Sequence, residues 1–66
     1  MKNNLRVARA EVRMTQQQLA DAAGVSRQTV NAIESGRFVP STVLALKMAR
    51  IFGKSVEDVF ALEDND

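Results

Sequence analysis

The sequence predicts an all-α domain of five short helices. Three observations carry that expectation. Apolar residues recur at spacings of three and four along the whole chain, the period of a helix, and nowhere alternate as they would in a half-buried strand. Thr15, Ser26, Ser41 and Ser55 each stand just before such a stretch, where a hydroxyl can accept from the first free backbone N–H groups. Gly24, Gly36 and Gly53 each follow one, where a helix most readily stops. The 66 residues contain no linker, repeat or low-complexity tract, so residues 1–62 read as one domain and residues 63–66 as a short acidic tail, expected to fray.

In the first helix, from about Asn4 to Val12, Leu5, Ala8 and Val12 share one stripe. Thr15 starts the second helix, and Gln18 three residues later completes a capping box: the Thr15 hydroxyl serves the Gln18 N–H, and the Gln18 side chain reaches back. Leu19, Ala20 and Ala23 form its buried face, and Gly24 ends it. Ser26 caps a third helix, from Arg27 to about Ser35, with Val30 and Ile33 inward. At about 100° per residue, Gln28, Asn31, Ala32 and Ser35 fall on its opposite face, with Arg27 at the exposed N-terminal edge. Pro40 makes Arg37–Val39 extended, because it disfavours helix at the residue before it. Ser41 caps the fourth helix, which ends before Gly53, and Ser55 caps a short fifth holding Val56, Val59 and Phe60.

Between Gln16 and Ser35 the residue types are constrained jointly. Two short helices crossing at a large angle after a three-residue turn leave no room for a bulky side chain at the crossing, and Ala20 meets that need. Gly24 allows the reversal. Leu19, Ala23, Val25, Val30 and Ile33 form the apolar wedge that holds the angle. A helix-turn-helix over residues 16–35 is therefore expected. Charge points the same way: residues 1–37 carry six basic and three acidic side chains, and the rest three basic and five acidic. A polyanion would be drawn to the first part.

On these residues the chain resembles the Cro/cI-like, or XRE-type, helix-turn-helix repressors. The likeness runs from Leu5 to Phe60 and rests on Leu5, Arg9, the runs Met14–Ala20 and Ala23–Val30, Ile33–Arg37, Pro40–Ser41, Ala49 and Ser55–Phe60. The resemblance implies a lambda-repressor-like domain whose third helix enters the DNA major groove, with two copies on a near-palindromic operator. The expected function is a sequence-specific transcriptional regulator of the repressor type, with double-stranded DNA as its partner. In such an arrangement Arg27, Gln28, Asn31 and Ala32 would face base edges. Arg27 suits guanine O6 and N7, Gln28 suits adenine N6 and N7, and Ala32 suits a thymine methyl.

Gln16, at the start of the second helix, is placed to meet a phosphate, because helix N-termini favour anions. Ser26 and Thr29 are expected to do the same, and Arg37 matches the family's backbone-contacting basic residue. Arg13, with Arg6, is either a further phosphate contact or an ordinary solubilising charge. Arg9 and Glu34 lie toward the inward sides of the first and third helices. The resemblance implies that they form a structural ion pair.

The fourth helix is apolar around most of its circumference, more than one small core can use. A homodimer is the expected second burial surface, with Phe38, Leu44, Ile51, Phe60 and Leu62 as candidate contacts; ordinary exposed apolar residues are the alternative. The chain contains no histidine, cysteine or tyrosine, which leaves no metal-ligand cluster, no cofactor site and no acid–base pair for an enzyme. No apolar run approaches the roughly 20 residues that span a bilayer, and Met1–Asn4 does not resemble a signal peptide, so a soluble cytoplasmic protein is expected. A protein partner, either a second regulator or a toxin for which this chain is the antitoxin, is the competing reading.

Overall fold

The computed structural model describes residues 1–66, with the elements β1 (Lys2–Asn3), α1 (Leu5–Glu11), α2 (Gln16–Ala23), α3 (Arg27–Glu34), α4 (Thr42–Phe52), α5 (Val56–Val59) and β2 (Phe60–Ala61). Five helices surround one core built from Leu5, Leu19, Ala20, Ala23, Val30, Ile33, Met48, Ala49, Val59 and Phe60. Each fully buried Leu, Ile, Val or Met contributes about 1.5–3 kcal/mol of apolar burial. That is the principal force holding α2 against both α3 and α4, and α4 against α5.

Local sequence sets the helix ends. The Thr15 hydroxyl accepts from Gln18 N at 3.0 Å while Thr15 N donates to the Gln18 side chain at 2.8 Å, closing the expected capping box. Ser26 and Ser41 accept from Thr29 N and Leu44 N at 3.1 and 3.2 Å. Gly24, at φ +75°, reverses the chain so that Val25 N donates to Ala20 O at 3.0 Å. Ala20 is fully buried, as the crossing of α2 and α3 demands. The α1–α2 connection is made differently. Arg13 stands at φ +55°, a conformation that glycine adopts far more readily, and Met14 N donates back to Arg9 O at 2.9 Å.

Five expectations need correction. β1 and β2 form a short antiparallel ladder, Lys2 opposite Ala61 and Asn3 opposite Phe60, where no strand was expected. Two-residue strands are too short to show alternation, and their pairing joins the two ends of the chain. As a result Phe60 leaves α5 for β2 and is 7% exposed within the chain's own core, so it is not free for a partner. Val12, expected on the buried stripe of α1, lies beyond the end of that helix and is 49% exposed. The tail is tied down rather than frayed: the Met1 amino group lies 3.1 Å from carboxylate oxygens of both Glu63 and Asp66. Ser55 begins α5 by position, but its side chain makes no capping hydrogen bond.

Leu44 and Ile51 are half-buried and pack against the core of their own chain, whereas Phe38 and Leu62 are exposed. The exposed apolar face of α4 is formed instead by Val43 and Leu46, three residues apart. No helix is long and apolar enough to cross a membrane.

Candidate nucleic-acid interface

α2 presents its N-terminus beside the outer face of α3, and between them lies an open concavity of about 480 Å³. It is lined by Gln16, Arg27, Gln28, Asn31, Ala32 and Arg37. Three parts of the chain meet there. Gln16 comes from the first position of α2, where the Thr15 cap fixes it, and Arg27 to Ala32 come from α3. Arg37 arrives through Gly36, whose φ of +80° turns the chain back so that Arg37 N donates to Ala32 O at 2.9 Å.

Two arginines and three neutral polar or small residues of α3 line the hollow, and no carboxylate does. Neither α2 nor α3 carries an acidic residue in its first turn, so the partial positive charge of both N-termini is uncompensated. An anion is favoured on this face. Glu34, the carboxylate bonded to the lining residue Gln16, has its side chain only 2% exposed.

Glu34 is saturated by its neighbours. Arg9 Nε and Nη2 donate to its two oxygens at 2.6 and 3.1 Å, Gln16 Nε2 donates to Oε1 at 3.1 Å, and Arg6 Nε lies 3.8 Å away. Burial alone would push this carboxyl up, but the hydrogen bonds from Arg9 and Gln16, with the charges of Arg9 and Arg6, hold it below the ordinary glutamate range. Arg9 Nη1 also donates to Met14 O at 2.9 Å, which ties the start of α2 to the same cluster. The pairing of Gln16 with Glu34 is a contact that sequence reasoning missed, since eighteen positions separate the two residues.

The remaining candidates fall around the hollow. Ser26 and Thr29 share a hydroxyl–hydroxyl hydrogen bond of 3.0 Å at the exposed start of α3. Thr29 lines a neighbouring shallower hollow with Gln28, Ala32, Arg37 and Phe38. Arg13 is exposed on the α1–α2 connection and lines neither hollow. Arg37, the candidate backbone contact, lays its guanidinium over the outer face of α3, with Nη2 donating to Asn31 Oδ1 at 3.1 Å and Nε to Ser35 Oγ at 2.9 Å.

The family model described as Helix-turn-helix matches residues 5–59, from the start of α1 to the end of α5. The chain belongs to the XRE-type helix-turn-helix family. It is thus a DNA-binding transcriptional regulator, and its relatives are regulators rather than enzymes. It is 50% identical over 66 residues to an uncharacterized HTH-type transcriptional regulator of Methanocaldococcus jannaschii, covering all of both chains. It is 47% identical to the uncharacterized HTH-type regulator YgzD of Bacillus subtilis, again over the full length of each.

Among solved structures, the helix-turn-helix regulator superposes on the clp gene regulator ClgR from Corynebacterium glutamicum with a TM-score of 0.77 at 35% identity, covering 82% of this chain and 57% of that one. The hypothetical transcription factor NHTF from Neisseria gives 0.75 at 28%, covering 82% and 62%. The regulator therefore spans somewhat over half of each of these two chains.

Proposed function

We propose that the protein is a repressor that binds a near-palindromic operator as a homodimer in the cytoplasm, with α3 in the major groove. The observation that carries this reading is the meeting of Gln16, Arg27, Gln28, Asn31, Ala32 and Arg37 on one open, carboxylate-free surface beside two uncompensated helix N-termini. Arg27, Gln28, Asn31 and Ala32 face base edges. Gln16 meets a phosphate with the amide hydrogen that Glu34 leaves free, and Ser26, Thr29 and Arg13 meet flanking phosphates.

The second copy is supported by the surplus of apolar surface. Phe38, Val39, Val43, Leu46 and Leu62 are all exposed, a large apolar share for a 66-residue chain with a ten-residue core. Val43 and Leu46 on α4 are the centre of the proposed contact, with the exposed Phe38 in the segment that leads into α4 and the half-buried Leu44 and Ile51 on the same helix.

Selection from a random duplex pool tests this. The expected product is a two-fold symmetric site with half-site centres about 34 Å apart, roughly ten base pairs. A pool with no enriched sequence would remove the base-reading function, and an asymmetric single site would remove the dimer. Transcription in vitro from a promoter overlapping the selected site should fall when the protein is added. A rise would replace repression with activation.

A further inference from the structure

We propose that Asn31 and Arg37 act as one base-reading unit that selects guanine, which makes Arg37 a specificity-determining residue rather than a backbone contact. The inference rests on the reading that α3 lies in the major groove. It begins with a chemical constraint. A guanidinium has only donors, so the Asn31 carboxamide can face Arg37 only through its oxygen, and the 3.1 Å contact from Nη2 to Oδ1 fixes which way the amide points. Asn31 Nδ2 is thereby turned away from Arg37.

This orientation disfavours the ordinary use of an asparagine in the groove. Reading adenine takes both ends of the carboxamide, the oxygen accepting from N6 and the nitrogen donating to N7. Here Arg37 already takes one of the oxygen's two acceptor sites, and its positive charge weakens the oxygen as an acceptor for a second donor. What remains is a surface on which donors predominate: the two N–H groups of Asn31 and the unused N–H groups of Arg37, against the one acceptor site left on the oxygen. Guanine alone among the bases offers two acceptors, O6 and N7, on its major-groove edge. Adenine N6 and cytosine N4 would each bring a donor against a face made mostly of donors.

The fold holds Arg37 in this position from several directions. Its backbone N–H is bonded to Ala32 O at 2.9 Å, beyond the turn that Gly36 makes at φ +80°. Its Nε donates to Ser35 Oγ at 2.9 Å, and Ser35 Oγ donates in turn to Ala32 O at 3.1 Å. The side chain is pre-positioned on the reading face before any DNA arrives, so little of its freedom is left to lose on binding. Gln28 and Ala32 share both hollows with it, so the guanine position adjoins those read by α3.

The test compares selected sites for the wild type and for Asn31→Ala, Arg37→Ala, Arg37→Lys and the double variant Asn31→Ala/Arg37→Ala. Both residues are exposed, so each variant should melt at the wild-type temperature. The wild type should show a guanine in each half-site, favoured by about 10- to 100-fold over the other bases. Both alanine variants should lose that preference at the same position, and the double variant should lose no more than either. Arg37→Lys should keep the salt dependence of binding but lose the guanine, because an ammonium cannot hold the asparagine and the base as a planar fork does.

Three results would overturn the proposal: Arg37→Ala weakening all sequences alike with every preference intact, Arg37→Lys restoring the guanine, or adenine at the position that Asn31→Ala relaxes. If the wild type enriches no sequence at all, the major-groove reading itself fails, and this inference with it.

Discussion

Arg9 Nε donates to Glu34 Oε2 at 2.6 Å and Arg9 Nη2 to Glu34 Oε1 at 3.1 Å, so a planar fork joins the first helix to the last turn of the third. Both side chains are largely withdrawn from water, 15% and 2% exposed. Removing one partner would leave the other buried without compensation. Glu34→Ala should therefore destabilise the fold by about 3–5 kcal/mol in urea titration. A loss below about 1 kcal/mol, the range of a surface pair, would show that water reaches the cluster. Replacing both residues together by apolar ones of similar size should recover much of the loss.

The same carboxylate gives the stability a pH dependence of known sign. Glu34 titrates below the ordinary glutamate range in the fold, so the unfolded chain binds its proton first as the solution is acidified. The contribution is fully present above the unfolded value, near 4.5, and declines as the pH falls from there through the folded value. Melting temperatures of the wild type and Glu34→Gln, measured from pH 7 downward, should converge in acid. A constant difference across that range would contradict the assignment.

Arg13 holds the left-handed conformation that ends α1, at φ +55°. A side chain there costs roughly 1–2 kcal/mol, part of which a glycine regains against its greater freedom in the unfolded chain. Arg13→Gly should raise stability by about 0.5–1 kcal/mol. If Arg13 meets a phosphate, as proposed, the variant should also bind every DNA sequence more weakly by one common factor and lose about one unit of salt slope. A variant more stable and equal in affinity would assign Arg13 to structure alone.

Leu46 is 54% exposed on α4, beyond the core of its own chain. Leu46→Glu should leave the fold within about 0.5 kcal/mol of the wild type. By sedimentation it should convert the proposed dimer to monomer, and affinity for the proposed symmetric operator should fall to that for a single half-site. A dimer that survives this charge places the contact elsewhere.

The caps illustrate what could be read in advance. Thr15 and Gln18 close their box across three residues, and Ser26 and Ser41 reach N–H groups three positions on. Such contacts follow from the sequence because a helix fixes the geometry between near neighbours. The residues that line the hollow were legible for the same reason: Arg27, Gln28, Asn31 and Ala32 share a face of α3 whatever that helix packs against. Val12 was misplaced because a stripe can be drawn past the point where the helix actually stops.

Taken alone, the sequence determined that there are five helices, the caps at Thr15, Ser26 and Ser41, the stops at Gly24 and Gly53, and the small residue at Ala20 that lets α2 and α3 cross. Each depends on interactions within a turn or two of the chain. Tertiary structure decided what distant segments do when they meet. It paired Lys2–Asn3 with Phe60–Ala61, drew Phe60 into the core and set Gln16 against Glu34. Gly36 marked a turn in the sequence, but only the folded chain showed that the turn lays Arg37 over Asn31. The orientation of a side chain depends on the donors and acceptors that packing brings within about 3 Å of it, and residue order does not encode that distance.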